Sequence, residues 1–438
     1  MQNTYCIVGA GPCGLMTARA FKYANIAFDV LEKHSDVGGI WDIDNEGSPM
    51  YDAAHFISSR TKSGFPDFAM PDTYPDYPSH RQILTYIHAF AKHYNLYENI
   101  LFNKKVVRVE RLAENDWLVS TEDGQNKHYT GVICANGTLW AENSPSLKGS
   151  FDGVIRHGKD FKMSSELTDK KVLVIGAGNS GVDIACEAAT YAKSAFLSMR
   201  RGYHIIPKYF FGKPADVFAD EGPKLPMKIE QWVFAKLMRI MLGDPKKLGL
   251  PKPDHKIFES HPILNSDIFS HLGHGKLTIK PDVDYLDGKT VVFNDGSREE
   301  IDEIITATGY NFEIPYAKTY FDWQDNRPKL YLSTFNPKFD NIFAVGFLET
   351  NSAAYVLLTE NIKLLTNYLK SKEISPEKAK DFRTIVTNDQ PDLTGNIKFL
   401  RTPRNTGYVN SDTFRAYLRK LNKRMNWPAY QTGDYLVS

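Results

Sequence analysis

The chain has 438 residues, which is enough for two or three domains around a substantial buried core. Its 53 basic and 52 acidic residues nearly balance and form no long run of one sign, which argues against a nucleic-acid partner. Four scattered cysteines without a Cys-x-x-Cys pair argue against a disulfide framework and against a dithiol reductase. Together with the lack of a leader-like or membrane-spanning run, this cysteine usage predicts a cytoplasmic protein without integral membrane contact.

The N-terminal region begins with a predicted strand that leads into Gly9-Ala-Gly-Pro-Cys-Gly14. An apolar strand followed by Gly-x-Gly-x-x-Gly is typical of a dinucleotide site, because the glycines permit a tight turn and a close approach to pyrophosphate. Glu32 ends the next predicted strand, Ala27–Leu31, where a carboxylate can accept hydrogen bonds from ribose hydroxyls. We predict an FAD site formed by Gly9, Gly11, Pro12, Gly14, Glu32 and Lys33.

The region after this site predicts a helix and then a β-meander. Ser79-His-Arg-Gln82 is a capping box that opens a helix over 83–94. Residues 106–119 and 128–135 alternate as strands, with a hairpin turn at Asp123-Gly124. Residues 132–137 then predict a strand that returns to the first sheet.

A second fingerprint occurs in the middle of the chain, where the predicted strand Lys171–Ile175 leads into Gly176-Ala-Gly-Asn-Ser-Gly181. The following strand, 194–199, ends in Arg200 and Arg201 instead of an acid. Guanidinium groups there would bind a 2′-phosphate, which a carboxylate would repel. We therefore predict an NADPH site. The alternative is that the arginines simply lie in solvent at the end of the strand. Its predicted residues are Gly176, Gly178, Asn179, Ser180, Gly181, Arg200 and Arg201.

The fold class predicted from these patterns is α/β, with two Rossmann-like dinucleotide-binding domains. Residues 1–165 form the first part of the FAD domain, 166–300 the NADPH domain with an insertion at about 209–255, and 301–438 the second part of the FAD domain with a tail. Residues 301–310 predict a strand and glycine turn at which the chain re-enters the FAD domain. Helical spacing at 229–241 predicts packing against a neighbouring domain or a second subunit, so a homodimer is a possibility, with a lid or a membrane-surface helix as the alternatives.

The segment between the fingerprints, Phe151-x-Gly-x-x-x-His157-x-x-x-Phe161, resembles the identifying motif of the flavin-containing monooxygenases. Three further segments are similar to that family: Gly38-Gly-Ile-Trp41, Ser260-His-Pro-Ile-Leu-Asn265 and Thr306-Ala-Thr-Gly-Tyr310. The resemblance covers residues 2 to about 347 and indicates a soluble, bacterial-type class B flavoprotein monooxygenase.

The resemblance implies an enzyme of the N,N-dimethylaniline monooxygenase type that uses FAD, NADPH and O₂. It would oxygenate soft nitrogen or sulfur atoms of small molecules through a flavin C4a-hydroperoxide, without a metal. It also implies a hinge role for His157. The residues implied to be catalytic are Ser59, Arg60 and Asn265, and further cofactor contacts are implied for Gly39, Trp41, Thr308, Gly309, Gly346 and Asn351.

Two alternatives stay open on particular residues. A type II Baeyer–Villiger monooxygenase shares the Phe161 ending of the motif, and Arg60 could stabilise a peroxide anion in such an enzyme. Ser59 stands where relatives have an asparagine, and a hydroxyl offers fewer hydrogen bonds than an amide. Weaker stabilisation of the oxygenated flavin would make the protein an NADPH oxidase or flavin reductase.

Overall fold

The computed structural model describes residues 3–223, 225–402 and 405–436. The first of its two large sheets is parallel and surrounds the strand that precedes the first fingerprint. Its strands follow the order Ile342–Ala344, Gly131–Cys134, Thr4–Val8, Ala27–Leu31 and Ile100–Leu101. Because parallel strands present their carboxyl ends at one edge, Gly9 lies beside Glu32 and Ala135 there.

The second sheet repeats this arrangement around the strand that precedes the second fingerprint. Its strands follow the order Val154–His157, Glu303–Thr306, Lys171–Ile175, Ser194–Ser198 and Leu277–Lys280, again parallel. The predicted α/β fold with two Rossmann-like units is confirmed.

The predicted domain limits do not follow these sheets. Val154–His157 precedes the predicted limit at 165/166 but pairs with a strand of the second sheet. The prediction that residues 301–310 re-enter the first domain is wrong for Glu303–Thr306, which pairs with Lys171–Ile175. An apolar strand that ends in a glycine turn fits the carboxyl edge of either sheet, so the pattern did not distinguish them. The chain returns to the first sheet at Ile342–Ala344.

In each half, a three-stranded antiparallel meander comes directly before an inner strand of the large sheet. That strand is Gly131–Cys134 in the first half and Glu303–Thr306 in the second. The first consists of Val106–Ala113, Asp116–Thr121 and Asn126–Tyr129, with Gly124 at φ +83° in the predicted turn. The second consists of Val283–Gly288, Thr290–Phe293 and Arg298–Glu300, extended by Gly149–Phe151. The two halves thus share a strand–helix–strand unit followed by a meander and an inner strand, although the outer strand comes last in the first half, at Ile342–Ala344, and first in the second, at Val154–His157.

The helices pack on these sheets and are held by identifiable caps. The predicted capping box is present, since the Gln82 N–H donates to the Ser79 hydroxyl and the Gln82 side chain accepts from the Ser79 N–H. A large apolar core joins the first sheet to the C-terminal helices through Phe21, Phe90, Leu365 and Phe382. The α-helices are Pro12–Tyr23, Arg60–Ser63, His80–His93, Asn179–Tyr191, Ala215–Glu221, Met227–Leu242, Asp267–Gly273, Ala354–Ile374, Pro376–Asn388 and Ser411–Met425.

Two chain crossings connect the halves and pair with each other. Ala141–Glu142 leaves the first half and forms an antiparallel ribbon with Tyr310–Asn311, which leaves the second. The Asn143 N–H also donates to the Gly309 carbonyl at 3.0 Å. The connection is therefore a short two-stranded ribbon, which is a natural site for relative movement of the halves.

The predicted insertion contains the helix Met227–Leu242, which carries several exposed apolar side chains. Trp232 is 62% exposed and Ile240 is 81% exposed. Across the part of the chain that the structure describes, no helix has both the length and the apolar character needed to span a bilayer.

Candidate active site

The first fingerprint is shaped by glycines that no larger residue could replace. Gly9 has φ +108°, and a Cβ added there would lie 2.7 Å from the Ala135 carbonyl oxygen. A Cβ on Gly14 would lie 1.9 Å from the carbonyl oxygen of Gly9, well inside any real contact distance. The loop therefore folds tightly onto both the strand and the helix, as a dinucleotide loop must.

The start of the following helix suits an anion. Helix Pro12–Tyr23 begins with Pro12, no side chain caps its first turn, and that turn contains no acidic residue. Its first-turn amides and the positive end of the helix dipole are thus available to a pyrophosphate. The residues of this loop fit the predicted FAD.

Glu32 is held at the same edge. Its Oε2 accepts the Ala10 N–H at 2.6 Å, and its Oε1 accepts the His34 N–H at 2.9 Å. Burial alone would raise the pKa of the Glu32 carboxyl, but hydrogen bonds from His34 and Ala10 outweigh it and lower the pKa. The charged acceptor predicted for a ribose is therefore in place. Lys33 lies beyond it, with its ammonium 3.9 Å from the centre of the Trp140 ring.

The Gly38-Gly39 loop closes over this fingerprint. A Cβ on Gly39 would lie 3.1 Å from the Gly11 Cα, so the two loops nearly touch. Trp41 follows and stacks on Phe56 with ring centres 5.0 Å apart. Gly346, with φ +92°, meets the fingerprint from the other side, because its Cβ would lie 2.7 Å from the Cys13 sulfur. Burial raises the pKa of the Cys13 thiol to about 12, so it is a packing group and not a nucleophile.

The second fingerprint has nearly the same backbone angles and clearances as the first. Gly176 has φ +106° and its Cβ would lie 2.6 Å from the Ala307 carbonyl oxygen, while a Cβ on Gly181 would lie 2.0 Å from the Gly176 oxygen. Helix Asn179–Tyr191 likewise has no side-chain cap and no acid in its first turn. Ala307 and Thr308 thus line the second fingerprint as Ala135 and Asn136 line the first.

The arginine pair follows the adjacent strand of this sheet. Strand Ser194–Ser198 ends beside the fingerprint, where the Gly176 N–H donates to the Ser198 carbonyl at 3.1 Å. Arg200 is exposed, and the Arg201 guanidinium lies 4.0 Å from the Asp254 carboxylate. Ser180 is exposed at the helix start. Asn179 lies beside it, and its side-chain oxygen accepts the Leu264 N–H at 2.9 Å.

Ser59 and Arg60 lie in a segment that contacts the insertion. Ser59 is fully buried, its N–H donates to Asp216 at 2.7 Å, and its hydroxyl lies 3.1 Å from that of Thr61. Arg60 directs its guanidinium to Asp72 at 2.9 Å. The cation that could have stabilised an anion at the flavin is thus already paired.

Asn265 is committed to protein partners on both sides of its amide. Its nitrogen donates to the Asp183 carboxylate at 2.7 Å, and its oxygen accepts the Ile268 N–H at 2.9 Å. It is buried, with 3% of its surface exposed. Its hydrogen bonds lead into the second half, whereas Ser59 bonds to Asp216 of the insertion and to Thr61, so Asn265 and Ser59 have separate partners.

Asn351 lies in the first half, where the C-terminal segment reaches it. Its side-chain oxygen accepts the Ser411 N–H at 2.9 Å, and the preceding strand Glu349–Thr350 pairs with Tyr408–Val409. The buried Tyr408 hydroxyl donates to the Thr350 carbonyl at 2.6 Å and lies 2.9 Å from His261 Nδ1. The C-terminal tail, for which the sequence predicted no role, thus contacts the first half at Thr350 and Asn351 and the second half at His261.

His157 holds the connection between the halves. Its Nδ1 accepts the Lys159 N–H at 3.2 Å, so the neutral ring carries its proton on Nε2 and donates it to the Gly309 carbonyl at 3.2 Å. Burial lowers the pKa of His157, against the opposing effects of Glu142 and that carbonyl. His157 thus ties the linker motif to the ribbon between the halves, and its hinge role stays a prediction.

Reasoning from the sequence missed several residues that the tertiary structure brings to this region. Asn136 occupies the first site at the position that Thr308 has in the second, and the repetition of Ala-x-Gly after an apolar strand could have identified it. Tyr51 and Asp183, which link the halves at 3.4 Å, belong to no recognisable pattern.

Comparisons with known proteins agree with this geometry. A model of the family described as flavin-binding monooxygenase-like matches residues 2–401. Flavin-containing monooxygenase 5 of Homo sapiens is 29% identical over 404 residues, which cover 86% of this chain and 75% of the relative. The corresponding protein of Mus musculus is 31% identical over 367 residues, covering 77% of this chain and 68% of the relative.

Solved structures show the same fold at lower identity. Cyclohexanone monooxygenase bound to ε-caprolactone superposes with a TM-score of 0.71 and 19% identity, covering 96% of this chain and 98% of the other. Together with the two fingerprint edges, the family match decides the classification. The chain belongs to the flavin-binding monooxygenase-like family, whose cofactors, FAD and NADPH, are those that the two fingerprints predicted.

Proposed function

We propose that this protein is a monooxygenase that transfers one atom of O₂ to a soft nitrogen or sulfur atom of a small molecule and reduces the other to water. The two electrons and hydride of NADPH, together with one proton from solvent, balance the reaction, which yields NADP⁺, water and an N-oxide or S-oxide. The main support is the duplication of the glycine edge, with matching clearances at Gly14 and Gly181. In this proposal the first edge binds FAD and the second binds NADPH.

The chain's own contribution is to bind, orient and shield the cofactors. When bound, FAD accepts hydride from NADPH and activates O₂, so the protein needs no nucleophile or metal of its own. Gly9, Gly11, Pro12 and Gly14 would hold one pyrophosphate, and Gly176, Gly178 and Gly181 the other. Glu32 would accept ribose hydroxyls, and Arg200 and Arg201 would bind the 2′-phosphate.

The loops around the first fingerprint would surround the flavin. Gly39 and Gly346 contact that fingerprint, Trp41 follows Gly39 in the same loop, and Asn351 follows the strand beyond Gly346. We assign Ser59 as a hydrogen-bond donor to the reacting oxygen, after rotation away from Thr61. Thr308 is assigned to the second cofactor because it lines the second fingerprint, and Gly309 is assigned with it as the next residue of the same loop.

Two positions bear on the choice between this reaction and a Baeyer–Villiger reaction. Phe161 disfavours the larger class of Baeyer–Villiger enzymes, which end the linker motif in tryptophan, but the type II class shares the Phe161 ending. Arg60 is paired with Asp72, which leaves less positive charge to stabilise an anionic oxidant. The Ser59–Thr61 contact, in contrast, favours some uncoupled reduction of O₂ to H₂O₂.

Product analysis tests the proposal. FAD-loaded protein would receive NADPH and O₂ with a thioether, a tertiary amine or a cyclic ketone, and NADPH, oxygenated product and H₂O₂ would be quantified together. We expect sulfoxide or N-oxide as the main oxygenated product. A lactone from the ketone would identify a Baeyer–Villiger enzyme, and H₂O₂ equal to the NADPH consumed with every substrate would identify an oxidase.

A further inference from the structure

A short segment of the first half is inserted into the core of the second. This segment, residues 48–54, follows the Gly39–Trp41 loop and precedes Ser59. Tyr51 is 5% exposed and Ala54 is equally buried, and both pack in the apolar core of the second half. The Tyr51 ring lies 5.4 Å from that of Phe161, the last residue of the linker motif.

Polar contacts fasten the inserted segment to the chain just after the linker motif. The Lys162 ammonium donates to the carbonyls of Ser48 at 2.5 Å and Met50 at 3.2 Å. The Asp52 N–H donates to the Lys162 carbonyl at 2.9 Å, and its carboxylate accepts the Ser164 N–H and hydroxyl at 3.1–3.2 Å. The segment therefore moves with the second half.

Tyr51 of this segment places its hydroxyl in the core of the second half, next to the Asp183 carboxylate. The Tyr51 hydroxyl donates to Asp183 Oδ2 at 3.4 Å, while Asp183 Oδ1 accepts the Asn265 amide at 2.7 Å. Asp183 belongs to helix Asn179–Tyr191, which begins at the second fingerprint. Asn265 in turn holds the start of helix Asp267–Gly273 through the Ile268 N–H. One carboxylate thus connects the fingerprint helix, a second helix of that half, and the first half.

We propose that Tyr51 and Asp183 are positioning residues that couple occupancy of the second dinucleotide site to the arrangement of the flavin-side loops. The inference rests on the proposed assignment of NADPH to that site. A dinucleotide bound at the start of helix Asn179–Tyr191 fixes the orientation of the helix, and Asp183 lies on that helix. The hydrogen bond from Tyr51 to Asp183 then fixes the position of residues 48–54. These residues lie between the Trp41 loop and Ser59.

Docking of residues 48–54 on the second half and binding of NADP⁺ are linked equilibria in this proposal. If NADP⁺ binds only molecules in which residues 48–54 are docked on the second half, its apparent affinity falls as the docked fraction of molecules falls. Removing the Tyr51 hydroxyl leaves the packing of its ring in place and deletes one hydrogen bond to a carboxylate. Because this hydrogen bond is long, at 3.4 Å, we assign it the net value of an ordinary hydrogen bond, which corresponds to a change of about three- to tenfold in an equilibrium constant.

Calorimetric titration of the FAD-loaded, full-length protein with NADP⁺ tests the coupling. The variants are Tyr51→Phe, Asp183→Asn and the double substitution. Tyr86→Phe is the matched control, because its buried hydroxyl also bonds to the chain, at the Phe65 N–H and the Phe68 carbonyl, but within the first half alone. Hydrogen exchange of residues 48–54 would be followed with and without NADP⁺ in each protein.

We expect both single variants to weaken NADP⁺ binding about three- to tenfold, the double variant to add little, and the control to match the unmodified protein. NADP⁺ should slow exchange in residues 48–54 of the unmodified protein and less so in Tyr51→Phe. NADP⁺ affinity in both variants equal to that of Tyr86→Phe would overturn the coupling alone. An unmodified protein that binds no NADP⁺ would overturn the coenzyme assignment, and the coupling with it.

Discussion

At the residue scale, we propose that the charge just beyond the strand decides which coenzyme the second site accepts. Register places Met199 at the position that Glu32 has in the first site, and Arg200 and Arg201 follow Met199 directly. A carboxylate accepts hydroxyls and repels phosphate, whereas guanidinium attracts phosphate. Two sites with similar glycine loops can therefore differ in the coenzyme that they bind.

Arg200→Ala tests this at the residue scale. We expect the KM for NADPH to rise about ten- to a hundredfold, from the loss of roughly 1.5–3 kcal/mol for a charged hydrogen bond, while the KM for NADH stays constant. Steady-state kinetics with both coenzymes measure the ratio. Arg298→Ala, an exposed arginine on the meander of the same half, is the control. An unchanged preference for NADPH would remove the basis for assigning the 2′-phosphate to Arg200.

At the scale of elements, the strand–loop–helix unit of each half leaves no room for a side chain on the third glycine of its motif. Both fingerprints place the third glycine of the motif against the first, with clearances of 1.9 and 2.0 Å for an added Cβ. Such a distance cannot be relieved by moving a side chain, because the opposing atom is a backbone oxygen. The helix would have to move away from its strand.

Two alanine substitutions should therefore separate the two sites. Gly14→Ala should yield protein that retains little FAD after purification, whereas Gly181→Ala should retain FAD and lose measurable NADP⁺ binding. Flavin absorbance per protein and calorimetric titration measure these outcomes. Gly273→Ala is the control, since no atom lies within 4 Å of its added Cβ. Full FAD content in Gly14→Ala would contradict the assignment of the first site.

At the scale of the whole molecule, the two halves are joined by a ribbon and by the inserted segment 48–54. His157 lies at the ribbon, bonded to Gly309, and the inserted segment is fastened just beyond the same linker motif. Both connections therefore restrict the relative movement of the halves.

The exposed helix Met227–Leu242 lies in the insertion. Its packing against a neighbouring domain or a second subunit stays a prediction.

The buried state of His157 predicts a pH dependence of stability. Its folded pKa is lowered, so the unfolded chain binds the proton more readily, and stability falls as the pH drops through the ordinary histidine pKa of about 6.5 toward the folded value. Thermal unfolding between pH 7.5 and 5.5 should show a smaller loss of Tm in His157→Gln than in the unmodified protein. Other histidines with lowered pKa, such as His204, remain in both proteins. Equal losses of Tm would contradict a role for His157 in this dependence.

The sequence by itself determined the two fingerprints, their order, the helix that begins at the Ser79 capping box, and the first meander. These features depend on local patterns, in which glycine clearances, strand alternation and capping involve residues close in the chain. The charge difference between Glu32 and the Arg200-Arg201 pair was equally readable, because both lie close to the end of the strand that follows the glycines.

Only the tertiary structure decided which sheet each ambiguous strand joins and which side chains meet between the halves. Glu303–Thr306 reads as a strand for either sheet, and pairing with Lys171–Ile175 is a choice between distant partners. Asn265 looked catalytic in the sequence, but its amide is held by Asp183 and Ile268. The contact of Tyr51 with Asp183 spans 132 residues of chain and arises from packing two domains, which no local pattern encodes.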